Sequence, residues 1–164
     1  MKKIYIAGPD VFAKDSIEIG EEFVALCKKY GYEGLYPLDN KVDFSQPKYQ
    51  IAQDIFRANV AMINEADIVI ANLNHFRGKE PDSGTVWECG YAHALGKDVY
   101  GYMKDKCNYI DTFTRAEKFQ REGYSVDKYE RVIEDFDHPV NLMIACSVKE
   151  IVDGEFEDVL EFLS

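Results

Sequence analysis

Two acids, Asp82 and Glu88, bracket the start of an otherwise apolar run, EPDSGTVWECGYAHAL from Glu80 to Leu95. Pro81-Asp82-Ser83-Gly84 gathers turn formers, and Asp82 or Ser83 suits a helix N-cap. Gly96 follows the run as a C′ glycine does. An apolar segment of that length, capped at both ends, predicts a buried helix. Glu88 is the only acid between Gly84 and Gly96, in the first helical turn or just past it. A buried carboxylate without a partner is costly, and a helix N-terminus lowers that cost and favours the ionised form. Such a fixed, partly desolvated anion can attack a carbon electrophile. The ordinary alternative is a first-turn glutamate facing water; Asp82 upstream and the flanking Trp87 and Tyr91 favour chemistry. On an anomeric carbon, attack by a carboxylate gives a covalent glycosyl-enzyme and overall retention. Tyr5 on the first strand is placed to hydrogen-bond the carboxylate, although an aromatic on a strand is as readily a core residue.

The elements that must position these groups alternate. Lys3 to Ala7 is a short apolar run ended by Gly8-Pro9, a buried strand. Asp15 to Tyr30 reads as a helix, with Asp15 and Glu18 in the spacing of a capping box and Gly31 as its stop. Gly34 to Leu38 is a second strand, cut by Pro37, and Asp39-Asn40 follows at its C-terminal end. Tyr49 to Glu65 is a second helix, with Ile51, Ile55, Ala58 and Met62 on one face. Ile68 to Leu73 is a third strand, apolar enough for burial on both sides. The Glu88 helix comes next, then a strand from Val99 to Met103. Lys104 to Pro139 is polar, aromatic and long for a loop. Thr112 to Arg121 reads as helical, and the whole segment as a lid, an oligomer contact or a solvated insertion. Asn141 to Cys146 is a short helix, Lys149 to Val152 a fifth strand and Phe156 to Leu163 a closing helix. This order predicts an α/β fold, a flavodoxin-like five-stranded parallel sheet with helices on both faces. Ligands in such sheets bind beyond the strand C-termini. Three turns converge there: Gly8-Pro9-Asp10, Asp39-Asn40 and the loop from Arg77 to Gly84.

The 164 residues suit one domain, 1-164, with a sizeable core. A net charge of −11 argues against a nucleic-acid polymer or an anionic membrane as partner and favours a small neutral ligand. Cys27, Cys89, Cys107 and Cys146 form no CxxC pair and read as buried thiols in a reducing cytoplasm. His75, His93 and His138 are too scattered for a metal site. The apolar run near the N-terminus is too short for a signal peptide, and no stretch reaches transmembrane length. There is no GxGxxG after the first strand, no GxxxxGK[ST] and no GxSxG, so dinucleotide, P-loop and serine-hydrolase chemistry are excluded. Asp10 in AGPDVF puts negative charge where phosphate-cradling loops offer Gly, Ser or Arg.

Taken in order, IYIAGP with Phe12, PLDN at 37–40, ADIVIANL at 66–73, FRGKEPDSGTVWECGYAHAL at 76–95 and PVNLMI at 139–144 resemble the nucleoside 2-deoxyribosyltransferases. Asp82-Ser83-Gly84 with Glu88 matches the family's D-x-G-x-x-x-E spacing, and the FRGxEPDxGT form is similar to the branch found in protozoa and some bacteria. The resemblance implies transfer of 2-deoxyribose from one nucleobase to another, with water as a slow substitute acceptor, and a place in nucleoside salvage. It implies Glu88 as nucleophile, Tyr5 as its orienting partner, and Asp82 on a deoxyribose hydroxyl beside Gly84. Gly8, Pro9, Phe12, Asp39 and Asn40 would line the base pocket, and Asn141 would reach a neighbouring subunit's sugar in a homo-oligomer. No metal and no organic cofactor is implied; the partners are deoxynucleosides and free nucleobases. Other branches carry an aspartate on the second helix as proton donor to the leaving base, where this sequence has Asn59. An amide supplies no proton, so either Asn59 only hydrogen-bonds the base or another acid such as Asp39 protonates it. The rival readings are a 2-deoxynucleoside 5-monophosphate N-glycosidase and a nucleoside-binding module without catalysis.

Overall fold

The sheet is built from five parallel strands in the order Glu33–Leu35, Lys3–Ala7, Ile68–Asn72, Asp98–Met103 and Glu150–Asp153. In chain order the elements are β1 (Lys3–Ala7), α1 (Ser16–Lys29), β2 (Glu33–Leu35), α2 (Lys48–Glu65), β3 (Ile68–Asn72), α3 (Ser83–Ala94) and β4 (Asp98–Met103). There follow a hairpin of β5 (Phe119–Arg121) and β6 (Tyr124–Val126), then α4 (Leu142–Ala145), β7 (Glu150–Asp153) and α5 (Phe156–Leu163). This computed structural model describes residues 1–39 and 43–164, Asp39 by its backbone alone. Asn40, and with it half of the Asp39-Asn40 pair, lies outside the described residues.

Alternation along the strands sorts the core into two halves. Ile4, Ile6, Ile68 and Ile70 face one way, where Cys27 of α1 and Phe156, Val159 and Leu160 of α5 meet them. Tyr5, Ala7, Val69 and Ala71 face the other way, against Ile63 of α2 and Cys89 and Ala92 of α3. Every residue of β3 is buried, the apolar run Ile68 to Ala71 as predicted and Asn72 at its end with it. The chain leaves β1 for β2 on one side and returns to β3 on the other. The C-terminal ends of β1 and β3 therefore open a crevice at the switch point. Among the described residues no helix is long and apolar enough to cross a membrane.

Several local expectations are corrected. Asp15 is the N-cap of α1 but makes no side-chain cap; its φ of −103° and ψ of 30° lie outside the extended region that aims a carboxylate at the first turn. A reciprocal capping box occurs instead at α5, between Glu155 and Asp158. Thr112 to Arg121 is not helical. Thr112 ends a 3-10 turn, Tyr109–Thr112, and its carbonyl accepts from the Lys79 ammonium. Gly123, at φ 81°, then turns the chain into the β5–β6 hairpin. α3 is buried only along Thr85, Cys89 and Ala92, while Trp87 is 47 % exposed and stacks on Tyr91. Of α2 only Ile63 is fully buried, and Ile55, on its apolar face, is exposed. Cys27 and Cys89 are buried, but Cys107 and Cys146 are exposed, on the loop after β4 and at the C-cap of α4.

Candidate functional site

α3 starts where the sequence places it, and Asp82 is its N-cap. Asp82 Oδ2 accepts from the Thr85 backbone N–H at 2.9 Å and from the Thr85 hydroxyl at 3.1 Å. That cap fixes the rotation of the helix. One and a half turns on, Glu88 comes to lie over β1, and the Tyr5 hydroxyl donates to Glu88 Oε1 at 2.6 Å. Tyr5 is fully buried. It fills the core and orients a carboxylate at once.

Burial is the main force on this pair, and it pushes Glu88 up to about 7. The Tyr5 hydrogen bond works against that shift, and the negative charge of Asp82 adds to it. The sequence expectation of a carboxylate held ionised by the helix N-terminus is corrected. Glu88 is the sixth residue of α3, beyond the first turn to which the dipole effect is confined, and desolvation prevails. Burial and the charge of Glu88 raise Tyr5 above the ordinary phenol range, so it stays protonated and acts as a donor.

Above Glu88 opens a cleft of about 530 Å³ lined by Gly8, Phe12, Asn59, Asp82, Gly84 and Glu88. Three separate segments thus deliver six of the residues singled out from sequence. Gly8 cannot carry a side chain. A Cβ there would stand 2.4 Å from Asp10 Oδ2 and 2.9 Å from Asn72 Cβ. Asp10 itself is turned to Asn72, whose Nδ2 donates to its carboxylate at 3.0 Å, and it lines a hollow between α1 and α5. The charge it was expected to place at this turn is therefore not in the cleft. Pro9 is not among the lining residues described; it opens a 3-10 turn, Pro9–Phe12, that carries Phe12 to the rim. Asp39 ends another 3-10 turn, Pro37–Asp39, next to the lining residues Pro37 and Leu38.

Asn141 stands apart from this cleft. It lines a second groove of about 500 Å³ with Pro81, Ser83, Val86, Gly90 and Met143. The first turns of α3 separate the two hollows. Its Oδ1 accepts from the Met143 N–H at 3.0 Å, capping α4, and its Nδ2 donates to Glu134 Oε1 at 2.6 Å. Sequence reasoning missed the apolar part of the rim, namely Ile17, Leu38, Phe44 and Ile55. Ile55 is in step with α2, and Leu38 and Phe44 lie outside the helices and strands named above, so no periodicity sets them apart.

The model of the nucleoside 2-deoxyribosyltransferase family matches residues 4–143. A 2-deoxyribosyltransferase of Leishmania mexicana is 32 % identical, with a TM-score of 0.76 over 99 % of this chain and 97 % of that one. A 2-deoxyribosyltransferase of Bacillus psychrosaccharolyticus shares the fold at 21 % identity, with a TM-score of 0.61 over 96 % and 90 % of the two chains. Protein C191.05c of Schizosaccharomyces pombe, which is uncharacterised, is 31 % identical over 105 residues, 62 % of this chain and 50 % of that protein. The chain thus spans about half the length of that curated relative. The family match covers both the strand that carries Tyr5 and the helix that carries Glu88, and the chain belongs to the nucleoside 2-deoxyribosyltransferase family.

Proposed function

We propose that this chain moves 2-deoxyribose between nucleobases through a covalent ester on Glu88. The observation that carries the reading is the Tyr5–Glu88 hydrogen bond of 2.6 Å on the floor of an otherwise apolar-rimmed cleft. Tyr5 holds Oε1, and Oε2 attacks C1′ of the donor. The C1′–O bond forms, the C1′–N bond breaks, and its electron pair leaves with the base, which takes up a proton. Nitrogen of the second base then attacks C1′ from the vacated side, the ester bond breaks, Glu88 is regenerated as a carboxylate and the new nucleoside loses a proton. Two displacements give retention. Asn59 hydrogen-bonds the base, and the proton comes from water or another acid. Asp82 takes a deoxyribose hydroxyl on the part of its carboxylate not used by Thr85.

The rival is hydrolysis of deoxynucleoside 5′-monophosphates. The cleft holds the carboxylates of Asp82 and Glu88, and no Lys or Arg is among its described lining residues, which favours an uncharged donor. The apolar groove beside Asn141 supports a homo-oligomer in which Asn141 completes a neighbour's site. A clean monomer by light scattering at assay concentration contradicts that part. The activity is tested by incubating deoxyinosine with free adenine, with wild type and with Glu88→Ala. New deoxyadenosine with wild type alone is the expected result. Free hypoxanthine without deoxyadenosine indicates a hydrolase, with the monophosphates then tried as donors. No turnover of purine or pyrimidine donors rejects the enzyme reading.

A further inference from the structure

Phe12 is 60 % exposed on the cleft rim, too little covered for burial to hold its ring. What meets it is Phe76, stacked at 5.5 Å with the planes 17° apart. The Arg77 guanidinium lies over both rings, 4.6 Å from the Phe76 centroid and 5.5 Å from that of Phe12. Arg77 adopts φ 54°, a left-handed conformation that costs a non-glycine residue free energy, although Gly78 is next to it. Neighbouring side chains ordinarily diverge, and the left-handed turn lets Arg77 fold back across the preceding ring. The turn is closed by the Phe76 N–H donating to the Glu80 carbonyl at 2.9 Å. It is also tied to the insertion, because Lys79 donates to the Thr112 carbonyl at 2.7 Å and pairs with Glu117 at 3.2 Å. Strain kept in place by so many ties marks a segment with work to do.

We infer that Arg77 is a positioning residue for the nucleobase, acting through Phe76 to fix the Phe12 ring as a preformed stacking face. Phe76 covers one face of Phe12, and the other is left to a planar heteroaromatic ligand in the cleft. A ring immobilised beforehand spares the ligand the cost of ordering it. A cation over the stack adds attraction that an uncharged side chain cannot supply. The inference rests on the proposed base-binding role of the cleft but not on turnover.

The test is direct titration of free adenine into wild type, Arg77→Ala and Arg77→Lys by calorimetry, with base-exchange kinetics on the same samples. Arg77→Ala is expected to weaken adenine binding and raise its KM about tenfold while kcat changes less than about threefold, and Arg77→Lys to recover most of the loss. Unchanged adenine binding in Arg77→Ala overturns the inference. So does a loss that comes with a lowered melting temperature and a parallel fall in kcat, which marks a merely structural role. Wild type that binds adenine but transfers nothing rejects the proposed reaction and leaves this inference to be judged on binding alone. Wild type that binds no adenine overturns the inference, whatever it turns over.

Discussion

The floor and the rim of the cleft are built on opposite principles. The floor is Tyr5 on a central strand and Glu88 on a helix packed over it, joined by one short hydrogen bond. The rim is Phe12, Ile17, Leu38 and Phe44, on a helix end and on turns, all exposed and apolar. On the floor the structure supplies the order, and desolvation moves a carboxylate toward neutrality. At the rim the Phe12 ring is held by Phe76 and Arg77 rather than by burial, and the surface left uncovered suits a flat, largely apolar ligand. On the proposed function, chemistry falls where the protein is least deformable, and base recognition where residues can change at small cost to the fold.

The largest expected contrast is at Glu88. Glu88→Gln should lower transfer at least about a thousandfold, since an amide is no nucleophile. It should also stabilise the protein. The folded-state value near 7 lies above the ordinary carboxylate value of 4.5. The stability that goes with the protonated form is present at low pH and is lost as pH rises between those values. The variant, which carries no such proton, should gain on the order of 3 kcal/mol over wild type at pH 8 and almost nothing at pH 4. Urea unfolding at the two pH values checks this, and a gap independent of pH contradicts it.

Next is Tyr5. Tyr5→Phe removes the bond that holds the carboxylate and pulls its titration down. In wild type, kcat/KM should rise with pH through about 7, as Glu88 loses its proton. In the variant that limb should move to higher pH, with kcat reduced roughly ten- to a hundredfold. Asp82→Asn should move the limb the other way, because it removes a negative charge beside Glu88 while an asparagine still caps α3. A limb that stays put in both variants breaks the account of the floor.

The smallest effects belong to the rim. Phe44→Ala removes an exposed ring, 74 % accessible, from the cleft edge. It should raise KM a few-fold with kcat nearly unchanged, and stability should stay within about 0.5 kcal/mol. A loss of several kcal/mol in this variant would place Phe44 in the core and erase the contrast.

The same division decides what was legible in the sequence. The five strands and the caps of α3 stand out because β3 is apolar from Ile68 to Ala71 and because Asp82 and Gly96 suit helix ends. Glu88 is legible as the one acid in an apolar helix and Asp82 as an N-cap in a turn cluster, whereas Tyr5 reads equally as core and its role comes from the family resemblance. The ionisation of Glu88 is not legible, because it depends on how deeply α3 settles against β1 and not on its distance from the helix start. The rim was also hidden. Ile55 fits the period of α2, so the sequence does not set it apart from Ile51, Ala58 and Met62, whereas the helix turns it toward the cleft. The hairpin at 119–126 is hidden because its first strand, Phe119–Arg121, is exposed throughout and shows no alternation of buried and exposed residues.

The central claim is a covalent deoxyribosyl ester on Glu88. Wild type mixed with deoxyinosine, without acceptor base, and quenched in acid within one turnover should show by mass spectrometry the added mass of one deoxyribosyl group. Peptide mapping should place it on the segment containing Glu88, and free adenine added before the quench should remove it. Full release of hypoxanthine with no adduct on any peptide contradicts a Glu88 ester and replaces double displacement with direct attack by the acceptor.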